Sequence, residues 1–269
     1  MRINFIGGGN MASALIDGLL RHQTSAADIA AVDVSGEARE NLARRFGIAV
    51  VAEIAGAPQA GVVVLAVKPQ QMKQVAMELR PHVRDALVIS IAAGIRTRDL
   101  SRWLGDHGRI VRAMPNMPAM VSAGITGLFA MDDLRESERT AAEKVLQAVG
   151  STLWVEREEL LDAVTAVSGS GPAYAFYFAE ALEEAAISLG FDEPSARRLA
   201  IETFAGAMRL AAQSDEPPAV LRARVTSRGG TTERALQKLD AEQVKRAIID
   251  AVRAAAERAR ELGDEYGKN

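Results

Sequence analysis

A run of glycines near the start of the chain has the composition of a dinucleotide-binding turn. It follows the apolar stretch Ile3–Ile6 and reads G-x-G-x-x-A over Gly7, Gly8, Gly9, Asn10, Met11 and Ala12. Between a strand and a helix, the first glycine permits a tight turn, the second lets the backbone approach a pyrophosphate, and a small third residue keeps the helix close to the strand. Amides at the helix N-terminus then attract the phosphates. The motif predicts an NAD(P) site; the alternative is a purely structural turn.

An acidic residue follows the second apolar run, where an adenosine ribose would lie. Asp33 comes about 24 residues after Gly9, and a carboxylate at this distance typically accepts hydrogen bonds from the ribose hydroxyls of NAD. It would also repel the 2′-phosphate of NADP, and neither Val34 nor Ser35 supplies a balancing arginine. We therefore expect a preference for NADH, with Asp33 and Ser35 among the cofactor-binding residues. The alternative is a surface aspartate that begins a turn.

A second glycine pair, late in the chain, could bind a carboxylate. Gly229 and Gly230 precede Thr231 and Thr232, where a helix is predicted to begin. Adjacent glycines expose backbone amides, and a helix N-terminus attracts anions. The alternative is an ordinary helix cap formed by one of the threonines with Glu233 nearby. The loop is therefore a candidate site for a small acid.

Two kinds of folding unit must position these motifs. Up to about residue 150, short β-branched runs alternate with helical stretches, which predicts a doubly wound parallel sheet with helices on both faces. From Leu160 onward the sequence predicts only helices. We therefore expect an α/β protein with a Rossmann-type domain at residues 1–155 and an all-helical domain at residues 156–269. The predicted strands are Arg2–Ile6, Ile29–Val34, Val62–Val67, Leu87–Ile91, Ile110–Ala113 and Thr152–Val155.

The predicted helices differ in character between the two halves. The stretch Ala173–Ala186 begins apolar on every side, which is typical of a helix surrounded by protein. Burial in a dimer interface is the first interpretation, and a central core helix of a monomer is the alternative. The tail after Gly263 is expected to fray. The helices are Met11–His22, Gly36–Phe46, Gln70–Arg80, Thr97–Leu104, Pro172–Leu189, Glu193–Ala212, Pro217–Val225, Thr231–Leu239 and Ala241–Leu262.

Composition excludes several classes of chemistry and partner. The net charge of −3 shows no basic excess that would indicate a nucleic-acid or membrane partner. The absence of cysteine excludes disulfides, thiolate zinc sites and cysteine nucleophiles. The sequence contains no HExxH motif, so we predict no metal site. It also shows no signal-peptide layout and no apolar run of membrane length, so we expect a soluble cytoplasmic protein. The histidines lie outside the motifs, with His22 ending the first helix and His82 and His107 in predicted surface loops.

Five further stretches are distinctive in residue type and order: AVKP (Ala66–Pro69), SIAAG (Ser90–Gly94), RAMPN (Arg112–Asn116), SGSGPAY (Ser168–Tyr174) and VTSRGGTT (Val225–Thr232). In these stretches the chain resembles pyrroline-5-carboxylate reductases. With the glycine motif the five stretches cover essentially the whole chain in order. The resemblance implies reduction of 1-pyrroline-5-carboxylate to L-proline by NAD(P)H, the last step of proline biosynthesis. It also implies pairing through the helical domain, often with further assembly into a ring of dimers.

The resemblance assigns roles to individual residues. It implies that Thr232 bonds the ring nitrogen of the substrate, while Ser227 and the amides of Gly230 and Thr231 hold the carboxylate. Lys68 could position the nicotinamide or attract the acid. Asn116 could bond the carboxamide or a water, although Met117 stands where the family usually has threonine. The residues implied to bind the pyrophosphate, ribose and nicotinamide are Gly7 to Met11, Ala66, Val67, Lys68, Pro69, Ala92, Ala93 and Gly94.

Two other functions fit the same general layout. A β-hydroxyacid dehydrogenase also joins a Rossmann half to a helical half, but it needs a catalytic lysine early in the long interdomain helix. Ala163–Leu189 contains no lysine. The second alternative is a non-catalytic NAD(P)-sensing protein, which the intact loop Val225–Thr232 argues against.

Overall fold

The computed structural model of the protein describes residues 1–131 and 134–267. One sheet runs through the first part of the chain, in which short runs of branched apolar residues favour strands. Its order is β3-β2-β1-β4-β5-β6-β7-β8. The strands are β1 (Ile3–Ile6), β2 (Ile29–Val32), β3 (Ala49–Val51), β4 (Val62–Leu65), β5 (Leu87–Ser90), β6 (Ile110–Met114), β7 (Gly124–Ala130) and β8 (Gly150–Trp154).

The sheet is the predicted doubly wound one, with two strands, β3 and β7, that were not predicted. All neighbours from β3 to β6 pair in parallel, and the chain order reverses between β1 and β4. β7 then pairs antiparallel with β6, and β8 pairs parallel with β7. The sequence prediction missed β3 and β7. β3 has only three residues at the sheet edge, and β7 contains Gly127, a residue type that weakens a strand signal.

Helices cover both faces of the sheet. Phe5 belongs to the apolar core on one face, where α1 (Asn10–Arg21) and α5 (Glu136–Leu146) pack. Ile6 belongs to the core on the other face, where α3 (Met72–Val83) and α4 (Thr97–Trp103) pack. Alternate residues of a strand point to opposite faces, so β1 is buried on both. The sequence prediction missed α5, in which five of the eleven residues are charged. The helices of this part are α1 (Asn10–Arg21), α2 (Gly36–Phe46), α3 (Met72–Val83), α4 (Thr97–Trp103), α5 (Glu136–Leu146) and α6 (Leu160–Val164).

The chain divides into two compact units. Unit 1 comprises Met1–Ser170 and Ala255–Asn269, and unit 2 comprises Gly171–Ala254. The boundary expected between residues 155 and 156 falls just after the last strand, β8. The compact units separate later, after Ser170, and the C-terminal segment belongs to unit 1. The remaining helices are α7 (Gly171–Ser188), α8 (Glu193–Ala212), α9 (Pro218–Arg224), α10 (Thr231–Ala241) and α11 (Val244–Gly267).

The C-terminal helix does not end where the sequence suggested. α11 continues to Gly267, and the Tyr266 side chain packs against the apolar core beside α3 and α4. The expectation of fraying after Gly263 is therefore wrong for residues 264–267, because the helix continues through them and the side chains of Asp264 and Tyr266 contact Arg96 and the apolar core of unit 1; residues 268 and 269 lie outside the described residues. No helix in the described part of the chain is both long and apolar enough to cross a membrane.

The apolar helix α7 leaves large side chains exposed within the single chain. Phe176 is 62% exposed and Tyr177 is 71% exposed, and α7 has no buried residue. α7 packs beside α8 in unit 2. The alternative of a central core helix in a monomer is therefore wrong, because a core helix would be covered on all sides.

Candidate active site

The carboxyl ends of β1, β2 and β4 surround a cleft of about 550 Å³. It lies at the point where the strand order reverses, which is the usual ligand position in doubly wound sheets. Most of the sequence-predicted cofactor residues at these three strand ends line it, whereas Asn10, Met11, Ser35 and Pro69 are not among the lining residues. The lining includes Gly7, Gly8, Gly9, Asp33, Val34, Ala66, Val67 and Lys68.

The glycine turn has the geometry that a pyrophosphate requires. Gly7 has a φ of +100°, and a Cβ on it would lie 2.8 Å from the Ala66 carbonyl oxygen. A Cβ on Gly9 would meet nothing within 4 Å, so this position faces open space. α1 begins at Asn10 without a side-chain cap, which leaves its first amides available to an anion. These residues fit the phosphates of a dinucleotide.

Asp33 stands at the end of β2 with its carboxylate bonded to two backbone amides. Oδ2 accepts from Gly8 N at 2.7 Å, and Oδ1 accepts from Ser35 N at 2.8 Å. The Ser35 hydroxyl caps α2 by accepting from Ala38 N. The predicted role of Ser35 toward the ribose therefore competes with a helix cap.

The sequence prediction missed an arginine at the same turn. Nη1 of Arg39 donates to the carbonyl oxygens of Asp33 and Val34 at 2.8 and 2.9 Å. The prediction considered only the residues adjacent to Asp33, whereas Arg39 returns to the turn from the first turn of α2. A search at helical spacing after Ser35 would have found it.

The loops after β4 and β5 continue the same edge of the sheet. Lys68 is exposed, lines the cleft, and has no ion-pair partner in the part of the chain that the structure describes. Pro69 begins a short 3-10 turn that ends at Gln71. Ala92 is buried, and Gly94 has a φ of +74°, a conformation that favours glycine. Parallel neighbours β4 and β5 thus bring AVKP and SIAAG to one edge.

The Asn116 amide is largely occupied within the protein. Its Oδ1 accepts from Ile125 N at 3.0 Å, and its Nδ2 donates to the Ser168 carbonyl oxygen at 3.1 Å. The side chain is buried and ties the turn after β6 to the π-helical turn Thr165–Gly169. A bond to the nicotinamide carboxamide stays a prediction and would use the remaining N–H. Met117 beside it is exposed.

The three histidines have separate surroundings. His82 lies in the last turn of α3 and lines the cleft, so its placement in a loop was wrong. A Pro81 inside that helix gave the misleading signal. His107 Nε2 contacts the Ala86 carbonyl oxygen at 2.9 Å, and burial lowers the pKa of its imidazole. His22 caps the end of α1.

The loop before α10, in unit 2, leads into a helix that begins where it was predicted to begin. The backbone amides that lack an internal acceptor are not the predicted ones. Gly229, with a φ of +73°, donates its N–H to Glu233 Oε2 at 2.7 Å, and Gly230 donates to the Ser227 carbonyl oxygen at 3.0 Å. The expectation that these two amides are exposed is therefore wrong, because both have internal acceptors. α10 begins at Thr231 after the N-cap Gly230, with no side-chain cap.

The threonines at this helix start are left with unused polar groups. The N–H and hydroxyl groups of Thr231 and Thr232 have no hydrogen-bond partner in the described part of the chain, and neither does the Ser227 hydroxyl. The alternative of a threonine cap is therefore wrong, since Gly230 occupies the cap position and Glu233 bonds to Gly229. Two amides and three hydroxyls remain for an anionic ligand.

Comparisons with known proteins agree along the whole chain. Residues 158–262 match the family described as pyrroline-5-carboxylate reductase dimerisation, and residues 2–94 match that of NADP oxidoreductase coenzyme F420-dependent. The pyrroline-5-carboxylate reductase of Pseudomonas aeruginosa is 44% identical, with 99% of this chain and 98% of that protein covered. The structure of a Coxiella burnetii pyrroline-5-carboxylate reductase matches with a TM-score of 0.92 at 41% identity, covering 97% of this chain and 98% of that one. A Plasmodium falciparum pyrroline carboxylate reductase with NADP bound matches with a TM-score of 0.87 at 25% identity, covering 98% of each chain.

Proposed function

Since this chain belongs to the pyrroline-5-carboxylate reductase family, and so reduces 1-pyrroline-5-carboxylate to L-proline with NAD(P)H, we propose which of its residues hold the two reactants. The cofactor takes the cleft beside Gly7–Met11, with Asp33 at its ribose and Ala66–Pro69 and Ala92–Gly94 toward the nicotinamide. The substrate takes the loop Ser227–Thr232. When bound, the reduced nicotinamide would supply the hydride for reduction of the imine carbon.

One observation carries the substrate assignment. The start of α10 offers the amides of Thr231 and Thr232 with no internal acceptor, at the positive end of an 11-residue helix. With the Ser227 hydroxyl they hold the carboxylate of the substrate. The Thr232 hydroxyl is then left to bond the ring nitrogen, and Gly229 contributes by permitting the turn rather than through its own N–H.

The reduction does not need a strongly acidic side chain to protonate the imine. A cyclic imine protonated near neutral pH already has an electrophilic carbon, so the chain needs to orient it and exclude water. Such orientation can supply ~7–11 kcal/mol of the barrier in favourable cases. The Glu233 carboxylate is bonded to Gly229 N, and no histidine belongs to the loop. Thr232 therefore acts by holding the nitrogen and passing a proton through water, and Lys68 by attracting the anionic substrate.

The proposed NADH preference depends on the charge at Asp33. Its carboxylate lines the cleft and has no ion-pair partner in the described ranges, so it would repel a 2′-phosphate. Arg39 is the competing group, although its Nη1 is bonded to two carbonyl oxygens. A higher kcat/KM with NADPH than with NADH would refute the Asp33 proposal and indicate that Arg39 outweighs it.

The experiment that tests the function follows the loss of dihydronicotinamide absorbance with 1-pyrroline-5-carboxylate, using both cofactors, and identifies L-proline as the product. We expect turnover that requires the imine and the reduced cofactor together. A β-hydroxyacid dehydrogenase would instead oxidise a hydroxy acid with NAD⁺, and a sensing protein would bind the cofactor without turnover. Either result would contradict the proposal.

The chain self-associates through its dimerisation domain, and we propose the further arrangement of a ring of dimers. The exposed apolar face of α7 supports the dimer, and mass measurement in solution distinguishes a dimer from a larger ring.

The formal charge of −3 supports the proposal of small-molecule partners rather than nucleic acid. We propose a cytoplasmic location, supported by the need for NAD(P)H and testable by cell fractionation.

A further inference from the structure

The last turn of α11 lies against both loops that follow β4 and β5. The Tyr266 hydroxyl accepts a hydrogen bond from Gln70 Nε2 at 3.0 Å. On its other side the ring faces Gly94, where a Cβ would lie 2.9 Å from Tyr266 Cδ2. Gln70 follows Pro69 directly, and Gly94 ends the SIAAG stretch. One side chain therefore contacts the two loops assigned to the nicotinamide side of the cleft.

Two glycines let this turn approach the start of α4 closely. A Cβ on Gly263 would lie 3.0 Å from Arg96 Nη2, and a Cβ on Gly267 would lie 2.6 Å from Asp99 Oδ2. These glycines are four residues apart and so share one face of the helix. Larger residues at either position would hold the turn away. The close approach is therefore built into the sequence.

Polar contacts then fix the turn in place. Arg96 Nη2 bonds Asp264 Oδ1 at 3.3 Å and also lies 3.7 Å from Asp162 Oδ2. Arg102 Nη2 donates to the Gly267 carbonyl oxygen at 3.2 Å, which satisfies one of the carbonyls left open at a helix end. The Arg96 side chain is only 11% exposed and the Asp162 side chain 8%, so this pair is shielded from water, whereas Asp264 is 47% exposed. Tyr266 is thereby held at a defined position.

We propose that Tyr266 is a positioning residue for the nicotinamide half of the cofactor. It fixes the loop at Gln70 relative to the loop at Gly94, and through them the groups that would flank the nicotinamide. This inference rests on the proposed cofactor site. No contact described for Tyr266 involves the glycine turn or Asp33, so the adenosine half does not depend on it.

The experiment compares binding of NADH with binding of ADP-ribose, which lacks the nicotinamide. Tyr266→Ala should raise the Kd for NADH roughly threefold to tenfold, as expected for loss of a hydrogen bond and its packing, and lower kcat. Its Kd for ADP-ribose should stay within about twofold of wild type, since those contacts lie elsewhere. Glu261→Ala is the matched control, because it removes only an exposed ion pair with Arg258 on the same helix.

Two further variants test the hydrogen bond in a chain whose helix is intact. Tyr266→Phe and Gln70→Ala each remove one partner of the same bond, so their effects on NADH binding should be smaller than for Tyr266→Ala and non-additive when combined. Equal weakening of NADH and ADP-ribose, or unchanged NADH binding in every variant, would overturn the inference. Failure of the proposed function is a separate result, namely a wild-type chain that does not oxidise NADH with 1-pyrroline-5-carboxylate.

Discussion

The Asp33 carboxylate and the Gly8 backbone N–H are joined by a 2.7 Å hydrogen bond that ties the end of β2 to the glycine turn after β1. The second carboxylate oxygen accepts from Ser35 N. One side chain therefore both fixes the turn and presents negative charge to the cleft. The structural role of Asp33 does not exclude a role in cofactor selection, which stays a prediction.

Replacing Asp33 should change how the protein uses the two cofactors. Asp33→Ala removes a charged acceptor, which is worth about 1.5–3 kcal/mol, so we expect kcat/KM with NADH to fall by about tenfold to a hundredfold. The value with NADPH should fall less, because the repulsion is lost as well. Kinetics with both cofactors measure the ratio. A ratio that stays at its wild-type value would mean that Asp33 does not select the cofactor.

Alanine substitutions of the two outer glycines of the turn should weaken cofactor binding for different reasons. Gly7→Ala forces a Cβ to 2.8 Å from the Ala66 carbonyl oxygen at a φ of +100°, so it should lower Tm and cofactor affinity together. Gly9→Ala meets no protein atom within 4 Å, so it should leave Tm unchanged and weaken cofactor binding alone. Thermal melts and cofactor titrations distinguish the two. Normal cofactor affinity in Gly9→Ala would place the pyrophosphate elsewhere.

A charge on the exposed face of α7 should break the self-association. Phe176 is 62% exposed in the single chain, and Phe176→Asp places a carboxylate where the partner would cover it. We expect light scattering to show a shift toward monomer. Met77→Asp is the matched control, since Met77 on α3 is 57% exposed and lies outside unit 2. An unchanged mass for Phe176→Asp would mean that α7 is not the interface.

A buried ion cluster joins β6 to α6 and the segment before it. Arg112, 3% exposed, bonds Glu158 Oε1 at 3.1 Å and Asp162 Oδ1 at 3.3 Å. Arg112→Ala leaves both carboxylates short of a partner and should reduce the free energy of unfolding by about 3–5 kcal/mol. Urea titration measures this, with Arg198→Ala on an exposed ion pair as the control. Equal losses in the two variants would contradict the assigned burial.

The sequence predicts the parts of the fold that depend on strong local signals. The buried strands through β6 and the glycine turn are recognisable because apolar runs and turn glycines lie next to each other. β7 was missed because its pairing with β6 is a long-range choice that its glycines obscure. Pro81 likewise disguised the end of α3, although tertiary packing keeps His82 helical.

The sequence predicted which residues stand at the candidate site, but not which of their polar groups are hydrogen-bonded within the protein. The threonines at the start of α10 are where the sequence puts them, yet which amides stay free depends on the Glu233 carboxylate reaching back to Gly229. The contact of Tyr266 with Gln70, on which its proposed role rests, was not predictable for a similar reason, since the two residues are distant in sequence. Such contacts follow from tertiary structure, whereas helix starts follow from local sequence.

The most direct test of the account is the kcat/KM for 1-pyrroline-5-carboxylate of Thr232→Ala, with Thr232→Ser as the matched control that restores the hydroxyl. Losing the bond to the ring nitrogen should cost on the order of 1–3 kcal/mol, so Thr232→Ala should lower kcat/KM by about tenfold to a hundredfold. Thr232→Ser should recover most of that loss, and cofactor affinity should be the same in both. An unchanged kcat/KM in Thr232→Ala would contradict the assignment of this loop to the substrate.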